Sequence, residues 1–240
     1  MIKKALEYLI GLAEPNYNCI DGSFYTDKPL HRISYNPMAK KIEMSTLSSL
    51  IDYIKSNVDV MKGQMIIHVQ SPTRVQMYSA LDNERERECV VEVNANVPDF
   101  PFNKFTDHEP FCINLQSKFI DDPVTDRALL LKFAGTVEHG TVAEYGDDGV
   151  TQKATVKTGI ASKGEAIVPN PVLLKPFRTF IEVEQPLSSY VFRMKQDKYD
   201  GIQCALFEAD GGAWKNAAMN DIKAYLEYEL KGIEGFIVIS

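Results

Sequence analysis

The sequence predicts an α+β fold, mostly antiparallel β-sheet with packed helices. Three observations carry that expectation. Short apolar or alternating segments, punctuated by Pro, Gly and Asp, crowd residues 65–95 and 136–207. Helical stripes precede, separate and follow these runs and do not alternate with them one for one. One long stripe, Ala217, Ala218, Ile222, Tyr225, Leu226 and Leu230, marks a C-terminal helix over about 214–230. Segregated strands and helices argue α+β over a βαβ alternation.

Taken in order, Ile2, Leu6, Leu9, Ile10 and Ala13 recur at helical spacing, and Pro15 ends that helix. Residues 17–42 read as irregular or short-stranded, with Asp21-Gly22 as a hairpin turn. Residues 1–42 therefore form an N-terminal helix and irregular segment, and 43–240 a single α+β domain. Ser45 is the expected N-cap of a helix from Thr46 to Asn57, whose stripe is Leu47, Leu50, Ile51 and Ile54. Met65–Val69, Arg74–Ser79 and Cys89–Ala95 form an antiparallel meander around the Ser71-Pro72-Thr73 turn. Pro98, Pro101 and Pro110 mark a loop and a weak internal boundary near 98–110.

Phe111, Leu115 and Phe119 fit a helix face, and Thr125 to Gly135 a second helix. Thr136–Ala143 and Val150–Thr158 bracket a hairpin turn at Tyr145–Gly149, and 161–166 read as a loop. Val172–Leu174, Phe180–Val183, Tyr190–Met194 and Ile202–Phe207 read as strands, and Phe236–Ile239 as a short buried one. No sequence repeat or proline-rich linker interrupts the chain.

The chain of 240 residues is long enough to bury a sizeable core without staples. Its formal charge of −7 argues against coating a nucleic acid, which takes clustered Lys and Arg. Cys19, Cys89, Cys112 and Cys204 are scattered, with no CxxC pair, so reduced thiols are expected. The N-terminal Met1-Ile2-Lys3-Lys4-Ala5-Leu6 starts like a signal peptide, but Glu7 and Glu14 interrupt it, and an amphipathic helix fits better. No window approaches a membrane span.

No phosphate-loop, dinucleotide, nucleophile-elbow, HExxH or zinc-finger pattern occurs. His31, His68, His108 and His139 lack ligand spacing among themselves, and His68 reads as a sheet residue. Asp147-Asp148 lacks calcium-loop spacing and reads as a solvated turn. Glu84–Glu88 alternates in sign and reads as a solvated edge. Gly211-Gly212-Ala213-Trp214 either turns the chain into the last helix or aims backbone N–H groups at an anion.

Glu182 and Glu184, two apart, share one face if their segment is a strand. Arg178 falls on that same face ~13 Å away, and Arg193 on the next strand would reach back. The set is a structural Arg/Glu ladder, or a carboxylate pair working as acid and base or on a metal. Either way, one polar network of Arg178, Glu182, Glu184 and Arg193 is expected.

A specific run carries a resemblance. Ser71-Pro72-Thr73-Arg74-Val75, Pro176-Phe177-Arg178-Thr179-Phe180 with Glu182-Val183-Glu184-Gln185-Pro186, Phe192-Arg193-Met194, and Ala205–Gly212 together resemble the YfdQ-like family of phage and prophage proteins of unknown function. The likeness spans roughly residues 45–230. It implies a phage or prophage gene expressed in a bacterial cytoplasm, and it brings no catalytic residues.

The expected function is therefore a non-enzymatic accessory protein. It would bind a host macromolecule or signalling ligand, in a counter-defence role for instance, and self-assemble as a homo-oligomer. The alternatives are a DNA replication or recombination accessory, with Lys175, Arg178, Arg193 and Lys195 lining one face, or a nucleotide- or nucleic-acid-processing enzyme using Glu182 and Glu184. The candidate binding residues are Arg178, Glu182, Glu184, Gln185, Arg193, Glu208 and Trp214. No catalytic residue, metal or cofactor is assigned.

Overall fold

The computed structural model describes residues 2–13, 15, 17–20, 23–27, 38–61, 63–82, 85–139, 141–147, 152–158, 162–167, 170–197 and 201–240. In chain order the elements are α1 (Ile2–Ala13), β1 (Tyr17–Ile20), β2 (Ser23–Thr26), β3 (Ile42–Met44), α2 (Leu47–Ser56), β4 (Met65–Ser71), β5 (Arg74–Tyr78), β6 (Cys89–Asn94) and β7 (Thr106–Asp107). There follow α3 (His108–Lys118), α4 (Arg127–His139), β8 (Thr141–Asp147), β9 (Gln152–Thr158), β10 (Ser162–Ile167), β11 (Val172–Leu174), β12 (Ser188–Asp197), β13 (Gly201–Glu208), α5 (Ala213–Glu229) and β14 (Phe236–Ile239). The fold class is α+β, with the expected C-terminal helix in place.

The chain divides into two compact units, Met1–Met38 and Ala39–Ser240. The sequence places this division at 42/43. It falls earlier because β3 is already part of the larger unit, pairing in parallel with β6 through Ile42↔Val91 and Met44↔Val93. The first unit holds α1 and the antiparallel hairpin β1–β2, in which Ile20 pairs with Ser23. The Asp21-Gly22 turn itself, His31, Glu84 and the Asp148-Gly149 part of the second expected turn lie outside the described residues.

Among the described residues, the larger unit contains two hydrophobic cores. The first sits on a five-stranded sheet of order β14-β4-β5-β6-β3. Its inner face supplies Ile67, Val69, Val75, Met77, Val91 and Val93, against Leu47, Leu50 and Ile54 of α2 and Ile222 and Leu226 of α5. Thr46, not Ser45, caps α2. Its backbone is extended and its hydroxyl accepts from Ser49 N–H at 3.2 Å. The meander β4-β5-β6 is antiparallel as expected. The last strand differs from expectation: β14 runs parallel to β4 at a sheet edge, with Ile237 and Ile239 turned outward and exposed.

The second core lies on a four-stranded sheet of order β11-β12-β13-β7. Val172, Leu174, Tyr190, Phe192, Cys204 and Leu206 meet Phe111 and Leu115 of α3 and Leu130 and Phe133 of α4, with Phe100 beside them. The passage from one core to the other thus runs close to the proline-marked stretch at 98–110. Three segments differ from the sequence reading. Residues 136–139 continue α4 and do not start a strand, 162–167 form β10 and not a loop, and β8, β9 and β10 make a three-stranded antiparallel sheet. Phe180–Val183 is a turn, with Val183 N–H donating to Phe180 C=O at 3.4 Å.

That turn belongs to a strap, residues 175–187, that spans the two cores. At one end Ile120 N–H donates to Lys175 C=O and Phe177 N–H to Lys118 C=O, beside the second core. In the middle the Thr179 hydroxyl donates to Pro72 C=O in the β4–β5 turn, and Phe180 and Val183 are buried in the first core. No described helix is long and apolar enough to cross a membrane.

Candidate functional site

Arg178 leaves the strap where the two cores meet, and it is almost wholly buried. Strand pairing explains its company. Tyr190 sits opposite Glu208 in the β12–β13 ladder, and two residues past Glu208 the chain turns through Asp210-Gly211-Gly212 into α5. The guanidinium lies 3.2 Å from Glu208 and 3.8 Å from Asp210, and it donates to the Ser188 hydroxyl. Its Cζ stands 3.9 Å from the Trp214 ring centroid and 5.8 Å from that of Tyr190.

Burial pushes the Arg178 pKa down, and Tyr190, Asp210 and Glu208 oppose that. Burial also raises the Tyr190 hydroxyl well above the ordinary phenol range, against the pull of Arg178. Two acids, two aromatic rings and a hydroxyl surround one cation, with Glu208 on the exposed side and with Arg178 Nε, Tyr190 OH, Asp210 Oδ2 and Trp214 Nε1 buried without a hydrogen-bond partner among the described residues. The arrangement locks a charge; it does not present one.

The glycines at the start of α5 serve this turn. Gly211 and Gly212 have φ of +63° and +81°, a region that L side chains avoid, and Gly212 N–H donates to the Asp210 carboxylate at 3.0 Å. The stretch therefore acts as a turn into the helix.

The expected network of Arg178, Glu182, Glu184 and Arg193 does not form, because 180–183 is a turn and the two glutamates share no strand face. Glu182 reaches the N-terminus of α2, where one carboxylate oxygen accepts from Ser48 N–H and the Ser48 hydroxyl, each at 3.1 Å. A carboxylate at that end satisfies an orphan donor and complements the helix dipole. Glu184 is exposed and pairs with Lys175 at 3.0 Å, a lysine that also holds Asp122 at 2.9 Å. Asp122 is shifted down by the Val124 N–H and by Lys175.

Arg193 lies on the other face of β12 from Tyr190, Phe192 and Met194, opposite Ala205, and donates to Phe192 C=O. The four cations expected on one face are engaged separately, Lys195 over the Phe105 ring at 4.6 Å.

Gln185 holds the strap's shape. Its side-chain oxygen accepts from Arg178 N–H at 2.9 Å and Thr179 N–H at 3.2 Å, and its amide donates to Phe180 C=O at 2.9 Å. A buried side chain thus supplies the partners that a strand ladder would have supplied. Of the seven expected residues, Arg178, Gln185, Glu208 and Trp214 meet at the strap, while Glu182, Glu184 and Arg193 go elsewhere. Ser188, Tyr190 and Asp210 complete the cluster. Asp210 stands in the same run as Glu208 and the glycines, which is the sequence signal for it.

A second polar cluster has no counterpart among the expected sites. On β6, Glu92 is nearly buried and is held by Lys41 at 2.7 Å, Arg74 at 2.9 Å, and Gln76 and Asn94 at 3.1 Å each. Lys41 first, then Asn94 and Arg74, bring its pKa to about 2. The alternation Arg74-Val75-Gln76 against Glu92-Val93-Asn94 contains the signal, because odd and even positions face opposite sides.

The four cysteines are free thiols. His108 and Cys112, one turn apart on α3 with Nε2 and Sγ 3.6 Å apart, edge an open cleft of about 300 Å³ toward α4. The i, i+4 spacing of this pair is visible in the sequence too. Among the described residues, no group of three or more His, Cys, Asp and Glu side chains is arranged to hold a metal ion.

An apolar surface stays open on the first unit. Ile2, Leu6, Leu9 and Ile10 of α1 and Phe24 and Tyr25 of β2 are all more than half exposed. No family model, no curated protein and no solved structure matches this chain.

Proposed function

We propose that this chain is a non-enzymatic accessory protein that acts by binding and self-assembly. On this reading the 39–240 unit is the frame and the 1–38 unit carries the contact surface. The observation behind it is the apolar face of α1, whose exposed side chains lie side by side on one helix; the exposed rings of β2 belong to the same unit. Clustered exposed apolar groups of this kind mark interaction surfaces, whereas singly scattered ones do not. The Glu182/Glu184 enzyme reading loses its ground, because those carboxylates serve α2 and Lys175 respectively.

The resemblance to the YfdQ-like family adds the setting: a phage or prophage product in a bacterial cytoplasm, engaging a host macromolecule or signalling ligand. Sedimentation velocity on the whole chain and on residues 39–240 tests the reading. The whole chain should gain mass with concentration while 39–240 stays monomeric and folded. A whole chain that remains monomeric throughout would remove self-assembly from the account.

A further inference from the structure

We propose that α1 pairs antiparallel with α1 of a second copy of this chain, which makes it the element that joins copies. The inference rests on the self-assembly reading above and names its contact. Ile2, Ala5, Leu6, Leu9 and Ile10 occupy one arc of roughly 140° of α1 at 100° per residue, and all are exposed. A helix of 12 residues is marginal in water without a packed face. The arc therefore calls for a covering surface, and two features of the same helix specify which.

The first is charge. Lys3 and Lys4 sit in the first turn, where the backbone end is already positive, and neither an acidic residue there nor a basic one in the last turn offsets the dipole. An antiparallel second copy brings its negative C-terminal end beside Lys3, which flanks the apolar arc, while Lys4 stays on the far side of the helix. A parallel copy would bring the two Lys3 side chains and the two positive helix ends together.

The second is packing. With residue i facing residue 15 − i of the other copy, Leu6 meets Leu9 and the small Ala5 meets the larger Ile10, twice over by symmetry. Large against small fills the layers. In parallel register Ala5 would face Ala5 and leave a gap. The helix pair alone buries less than the roughly 1,200 Å² of a standard stable interface, so association in the micromolar range is expected.

The experiment uses the full chain. By sedimentation equilibrium, wild type should pass from monomer toward dimer between about 1 and 100 μM. The double variant Leu6→Glu, Leu9→Glu should raise the midpoint at least about a hundredfold, because two leucines in each copy no longer bury against the other. Its melting should be unchanged, since neither core of the 39–240 unit contains these residues.

Orientation is read by oxidation with copper–phenanthroline in a Cys19→Ser, Cys89→Ser, Cys112→Ser background, which leaves only the buried Cys204. Mixed chains carrying Leu6→Cys and Leu9→Cys should cross-link to each other faster than either does to itself. Faster Leu6→Cys self-linking would overturn the antiparallel arrangement. A dimer that survives the double glutamate variant would overturn the helix contact while leaving self-assembly standing. A monomer at every concentration would overturn both.

Discussion

At the scale of single residues, two glutamates that look alike in sequence have different consequences. Glu182 caps α2 from 134 residues away, and Glu184 makes an exposed ion pair. Glu182→Ala should lower unfolding free energy by about 1 kcal/mol, the usual worth of a helix N-terminal acceptor. Glu184→Ala should change it by less than about 0.5 kcal/mol, as exposed pairs do. Urea unfolding of both variants checks the contrast.

Glu92 makes a pH-dependent contribution. Its folded-state pKa of about 2 lies below the ordinary 4.5, so its stabilisation is full above about 4.5 and is lost as pH falls toward 2. Its cationic partners are partly exposed, so screening reduces the effect to on the order of 1–2 kcal/mol. Melting from pH 7 to pH 2 should show Glu92→Gln less stable than wild type at pH 7 and the gap closing near pH 2.

Much of this scale is legible in the sequence. Arg178, Gln185, Glu208 and Trp214 stand out from neighbouring stretches, although which partner each takes is set by the strap's turn and by contacts such as the one that seats Thr179 against Pro72, 107 residues away.

At the scale of elements, the strap is where pattern reading fails, and the reason is physical. Phe180-Ile181-Glu182-Val183 has strand-like composition, yet Phe180 and Val183, three apart, are buried while Ile181 between them is exposed. That spacing belongs to a turn. Gln185 makes the turn possible by taking over the backbone partners.

Gln185→Ala strands those groups in a buried place and should cost about 2–4 kcal/mol. Arg178→Ala, which leaves the half-buried Asp210 without its cation and opens a gap beside Trp214 and Tyr190, should cost a similar amount. Arg178→Lys keeps the charge but loses the planar fork over Trp214, and should fall between that variant and wild type. Chevron analysis of the three is the check.

The helices and central strands are legible because their periodicity matches their burial. The extension of α4 through Val137 is not, because a β-branched residue there suggests a strand and only the continued helix says otherwise.

At the scale of the whole molecule, the α+β class follows from the segregation of stripes and alternations. The two cores of the 39–240 unit do not, since the strap that bridges them has no periodicity of its own. On the proposal made above, stability belongs to that unit and contact with a second copy to α1.

Hydrogen–deuterium exchange of the full chain at about 5 and 200 μM tests this division most directly. Amides of residues 2–13 should gain protection at the higher concentration, while those of 172–194 stay unchanged. Concentration-dependent protection around 178–194, with α1 exchanging equally fast at both concentrations, would contradict it and return the contact surface to the strap.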